Sequence, residues 1–124
     1  MFFTAMFICN LLIPIIMIIA GYLIYKKPPK KINAWIGYRT KLAKKNKDTW
    51  NFAHNLCGRL WIKTGLILVI LTIVAQIPFA QSADDIVATA SSVIEGVQVI
   101  VLLGTIIFVE NELRKTFDEN GNRK

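Results

Sequence analysis

Glu95 is the residue with the most to do chemically. It lies in a long apolar run, 86–109, nine residues in and so roughly 13 Å from its start. An ionised carboxylate in hydrocarbon costs about 2 kcal/mol or more, so Glu95 must be protonated, paired or turned towards the bundle interior. Asn10 falls at a similar depth in the first apolar run, and Gln76 and Gln98 in the second and third. The matching depths predict a hydrogen bond between Glu95 and Asn10, with Gln98 or Gln76 nearby. Such a group serves either as a proton or ligand site or as a structural clasp between helices.

His54 is the lone histidine, and its ordinary pKa near neutrality would suit a switch. No Ser, Cys or carboxylate stands at a spacing that would make it catalytic, so a hydrogen bond to the preceding loop is expected instead. Gly-rich phosphate loops, zinc-binding helix motifs and paired acids are missing from the sequence. It calls for no enzyme, no cofactor and no metal. Cys9 and Cys57 would lie near opposite membrane faces, which argues against a disulfide.

The elements that must position these residues are apolar helices. Hydrophobic residues make up 54% of 124, with a mean hydropathy of +0.47, too apolar for a soluble domain of this size. Residues 2–25 carry no charge and give roughly 36 Å of helix, enough to cross a bilayer. Asn10, Pro14, Met17 and Gly21 recur along that run at helical spacing, a polar or small stripe suited to packing on other helices. Pro28-Pro29 ends it. A second helix is expected from Asn46 to Phe79, with Asn46 or Asp48 as its cap. Its first three turns are amphipathic: Trp50, Ala53, Cys57 and Leu60 on one side, Asn51, Asn55, Arg59 and Lys63 on another. Asp84 or Asp85 would cap the third helix, 86–109.

These elements predict an all-α fold, an integral membrane three-helix bundle forming a single membrane domain over 1–124. Its spans run over about 2–25, 60–79 and 86–109, with a loop over 26–49 and a tail over 110–124. Basic residues set its orientation. Nine Lys and Arg lie between Lys26 and Lys47, none in the 81–85 turn and four in the tail. The positive-inside rule then puts loop and tail in the cytoplasm and the N-terminus outside. Trp35 and Tyr38 suit the headgroup zone, and the basic loop suits anionic headgroups. A net charge of +7 set beside apolar spans points to lipid rather than to nucleic acid.

Asn33-Ala34-Trp35-Ile36-Gly37-Tyr38-Arg39-Thr40, followed by Asn46-Lys47-Asp48-Thr49-Trp50-Asn51-Phe52-Ala53-His54, resembles the signature of the SdpI/YfhL family of bacterial membrane proteins. That signature has an Asn, three residues, Gly-Tyr-Arg-Thr, a short basic gap, and a Trp with Ala-His three residues on. The three-span layout and Phe117-Asp118-Glu119-Asn120-Gly121 fit it too. The resemblance implies a site constellation of Asn33, Gly37, Tyr38, Arg39, Thr40, Trp50 and His54. It also implies a bacterial plasma-membrane protein that is not an enzyme. Its role would be immunity or protection against a membrane-active toxin peptide, with signalling through a bound cytoplasmic regulator. The family's namesake is longer and has further spans before the matching part.

From the residues themselves, Gly37 would let the loop turn sharply, and Arg39 offers a planar fork for a carboxylate, phosphate or helix-end carbonyl. Trp50 and His54 lie one turn apart, so a re-entrant loop clamped on the start of the second helix is expected. The alternative reading is a small transporter or channel subunit that uses Glu95. Three helices are too few for a pore in one chain, so that reading requires a homo-oligomer.

Overall fold

The structure is a computed structural model that describes residues 1–27 and 40–124. It is all-α. Helices α1 (Phe2–Asn10) and α2 (Leu12–Lys26) form one broken span. Helix α3 (Lys47–Gln76) is followed by a 3-10 turn, Ile77–Phe79, and then by α4 (Asp84–Thr116). Among the described residues three helical stretches are long and apolar enough to cross a membrane: Phe2–Lys26, Lys47–Phe79 and Asp84–Thr116. The end carrying Lys26, Lys47 and Thr116 is called the basic end below.

The first span is one helical stretch with the kink that Pro14 leads one to expect. It breaks at Leu11 because Pro14 has no N–H for the carbonyl of Asn10 four residues back. Pro14 then sits in the first turn of α2, where proline is tolerated. The expected stripe holds: Asn10, Pro14, Met17 and Gly21 are all buried.

Helices α2 and α3 meet backbone to backbone. A Cβ on Gly58 would lie 2.7 Å from the Gly21 carbonyl oxygen and 2.7 Å from the Tyr25 Cβ. One on Gly65 would lie 2.6 Å from the Ile18 Cγ1. Small residues permit this approach where lipid offers no hydrophobic drive for association, so dispersion between close surfaces holds the pair.

Asn46 caps α3 as expected. Its side chain accepts from the Thr49 N–H at 2.9 Å while the Thr49 hydroxyl accepts from the Asn46 N–H at 3.1 Å, a reciprocal box. At α4 the cap is Ala83, with no side-chain bond. Asp84 and Asp85 occupy the first turn instead, where their charge suits the helix dipole.

The end of α4 departs most from expectation. It runs seven residues past Val109, because Glu110 to Lys115 are good helix formers and Val109, Leu113 and Phe117 keep one face apolar. These three pack with Ala43, Ala53 and Cys57 into a core at the basic end. Beyond the apolar spans the hydrophobic effect operates again, and fully burying a side chain such as Phe117 contributes about 2 kcal/mol.

Candidate functional site

Two groups of residues are built with care, one at the basic end and one inside the bundle. The first starts at Thr40. Its hydroxyl accepts from the Ala43 N–H at 3.4 Å, and its carbonyl accepts from the Lys44 N–H at 3.1 Å. This turn drives Ala43 into the core at zero exposure, where its carbonyl accepts the Thr49 hydroxyl at 3.0 Å. The described part of the connection, 40–46, is therefore folded onto the start of α3. Asn33, Gly37, Tyr38 and Arg39 lie outside the described residues, and so does the re-entrant loop expected around them.

Trp50 and His54 do share a face of α3, and both are fully buried. Their ring centroids are 4.2 Å apart, and His54 Nδ1 lies 2.7 Å from the Trp50 carbonyl oxygen. That bond reaches back along the helix; His54 has a further interaction as well, and most of the preceding loop that it was expected to meet lies outside the described residues. With one ring nitrogen engaged and no solvent access, His54 has the setting of a packed residue rather than of an acid or base working on a substrate. Asn51, Asn55, Arg59 and Lys63 are exposed, as the amphipathic pattern requires.

The C-terminal residues complete this end. Phe117 meets the edge of Phe52 at 5.4 Å, and Phe117 and Arg123 form an isolated antiparallel bridge. The Asp118 carboxylate accepts from the N–H groups of Asn120 and Asn122, both at 2.9 Å, and so fixes the turn. Gly121 adopts φ of +85°, a left-handed conformation that costs glycine little. Its carbonyl accepts the Asn46 side-chain amide at 2.7 Å. Arg123 then places a two-pronged ion pair on Asp48, at 2.8 and 2.9 Å. Asp48 stands at the polar start of α3, and the Arg123 guanidinium holds its carboxyl below the usual carboxylate range. The sequence suggests only a polar, turn-forming tail here. The continued spacing of Val109, Leu113 and Phe117 was the local signal that α4 reaches this end.

The second group is the intramembrane polar cluster. Asn10 Nδ2 donates to Gln76 Oε1 and to Ser91 Oγ, both at 2.9 Å. Gln98 Nε2 donates to the Asn10 carbonyl at 2.8 Å and to Thr72 Oγ1 at 2.9 Å. All five residues are at least 97% buried, and together they tie three spans. Asn10, Gln76 and Gln98 thus come together as the sequence predicts. Glu95 does not join them: it is half-buried and makes no hydrogen bond or ion pair among the described residues. Neutral amides and hydroxyls pair the Asn10 amide nitrogen and carbonyl without desolvating a charge, and Ser91 and Gln98, seven residues apart, are the α4 residues that face it. Ser91, on the polar face of the third span with Gln98, and Thr72, a polar residue in the second, are members whose pairing the sequence did not reveal. Nearer the basic end, Trp61 Nε1 donates to Thr105 Oγ1 at 2.9 Å and links α3 to α4.

Three apolar spans keyed by buried amides define a multi-pass helical membrane protein. The chain matches the model of the SdpI/YfhL protein family over residues 30–109, and it belongs to that family. It is 43% identical over 53 residues to the uncharacterized protein YfhL of Bacillus subtilis (strain 168), covering 43% of this chain and 48% of that one. The alignment therefore spans about half the relative's length. No solved structure matches.

Proposed function

We propose that the chain is an SdpI-type protection protein without catalytic activity. It guards a bacterial cell against a membrane-active toxin peptide and signals through a cytoplasmic regulator. In this reading it sits in the plasma membrane with the N-terminus outside, and the basic end faces the cytoplasm because the first connection carries nine Lys and Arg. The observation that carries the reading is the basic end itself. Thr40 is folded onto the start of α3, which buries the motif residues Trp50 and His54, and the C-terminal turn closes on the same helix start at Asn46, Asp48 and Phe52. That is a shape suited to docking rather than to chemistry on a substrate.

The test is survival of a sensitive Gram-positive strain challenged with a panel of membrane-active killing peptides. Cells carry empty vector, the intact chain, or matched levels of Arg39→Ala or Glu95→Gln. The expected result is protection by the intact chain that is lost in a well-expressed Arg39→Ala variant. No protection against any peptide would overturn the reading. Retention of a soluble regulator on the intact chain, lost with Arg39→Ala, tests the signalling half.

A second reading rests on Glu95. A half-buried carboxyl without a partner among the described residues, on a membrane-spanning helix, suits the wall of a pathway shared between copies. It predicts uptake or conductance by a homo-oligomer that Glu95→Gln abolishes while peptide resistance stays intact.

A further inference from the structure

The C-terminal turn does not lie flat against the helices. Between it, the last turns of α4 and the 40–46 segment is a cleft of about 810 Å³. Lys41, Lys45, Arg114 and Lys124 line it, and Leu42 and Phe117 supply apolar wall. The four cationic side chains make no hydrogen bond or ion pair among the described residues, whose two salt bridges are Lys115 with Glu112 and Arg123 with Asp48.

Three acids share the lining, outnumbered by the cations. The Asp118 carboxylate is committed to the N–H groups of Asn120 and Asn122, and Glu110 has an interaction of its own. Four cations against three carboxylates leave the lining a formal excess of one positive charge. Lysines act as point charges on a phosphate, and Arg114 adds a fork matched to two phosphate oxygens.

Position narrows the ligand further. Arg114 lies five residues, roughly 7 Å, past Val109, the last residue of the apolar part of α4. The polar layer of a bilayer beyond the hydrocarbon is about that thick on each side. Cations at this level beside exposed apolar helix faces meet lipid phosphates first.

We propose that this cleft holds the phosphate-bearing headgroup of an anionic membrane lipid. Lys41, Lys45, Arg114 and Lys124 surround the phosphate, and Leu42 lies against the glycerol end. The proposal rests on the membrane-spanning fold and is independent of toxin protection, so either can fail without the other.

The full chain is released from neutral detergent into native mass spectrometry with phosphatidylglycerol, phosphatidylcholine or inorganic phosphate added. One phosphatidylglycerol per chain is expected to be retained and phosphatidylcholine to be lost. Lys41→Gln, Lys45→Gln and Arg114→Gln together should weaken retention on the order of a hundredfold, at roughly one near-surface charge's worth each. Arg59→Gln with Lys63→Gln, exposed cations elsewhere on α3, should leave it unchanged. Tryptophan fluorescence on heating shows whether each variant is folded. Should the triple variant not fold, Lys45→Gln and Arg114→Gln singly are each expected to weaken retention about fivefold. Equal retention of the two lipids, or equal loss in the Arg59→Gln, Lys63→Gln control, would overturn the site. Inorganic phosphate that stabilises the chain as much as phosphatidylglycerol and displaces it would overturn the lipid assignment in favour of free phosphate.

Discussion

Gln98 Nε2 donates to the carbonyl of Asn10, the one that Pro14 leaves without its helical N–H. A proline in the first span thus creates an acceptor, and a glutamine 88 residues along satisfies it. The kink and the attachment of α4 are one feature.

Gln98→Leu should therefore destabilise the bundle by about 1–2 kcal/mol, since it leaves the Asn10 carbonyl unmet in a dry interior. Adding Pro14→Ala restores an N–H at position 14 and should recover part of that loss. Thermal unfolding in detergent of the two single variants and the double measures the coupling. Strict additivity would show that the two residues do not share this acceptor.

Gly58→Ala should cost about 1–3 kcal/mol, because the added methyl meets backbone of α2 that cannot move aside cheaply. Gly104→Ala provides the contrast. Nothing lies within 4 Å of its Cβ position, so the gain in helix propensity should stabilise by about 0.5–1 kcal/mol. Midpoints of unfolding for the two variants should fall on opposite sides of the parent.

Gly121→Ala should release the C-terminal turn. Its Cβ would lie 2.6 Å from the Asn46 amide nitrogen, and the left-handed backbone costs a non-glycine residue about 1 kcal/mol or more. Limited proteolysis should cut the variant at 117–124 well before the parent.

Lowering pH should loosen the same turn through Asp48. Its folded-state pKa is depressed, so the contribution of the Arg123 pair is present above the ordinary carboxylate value and fades as pH falls through the folded one. High salt should weaken the pair too, since both side chains are about half exposed. Hydrogen exchange of residues 117–123 across acidic pH, with Asp48→Asn as reference, measures both effects. An Asp48→Asn variant that responds to acid as the parent does would assign the loosening elsewhere.

Thr105→Val should leave the Trp61 indole N–H without its acceptor at nearly constant volume, at a cost of about 1 kcal/mol. A blue shift of tryptophan emission should accompany the lower midpoint.

The three spans were legible because apolar runs with at most one charge, long enough to cross a bilayer, have few other uses. The Asn10, Pro14, Met17 and Gly21 stripe was legible because polar and small residues stand out on an apolar cylinder. The Asn46 cap followed from side-chain chemistry within three residues. What was not legible depends on distant pairs. Glu95 attracts notice as a charge, yet Ser91 and Gln98 are the α4 residues that meet Asn10, and only the rotation of α4 about its axis decides that. Likewise, nothing local in Gly121 or Arg123 tells that they close on Asn46 and Asp48, some 75 residues earlier.

The buried cluster also bears on how the protein is made. Translation delivers α4 last, after the α2–α3 pair can already have met through its glycines. Until α4 docks, Gln76 is the only described partner left to the Asn10 side chain, and the carbonyl freed by Pro14 stays unmet in hydrocarbon. Docking of α4 is thus also what brings these two groups their partners. A nascent or truncated form lacking α4 would carry a chemical mark of incompleteness that the finished bundle hides.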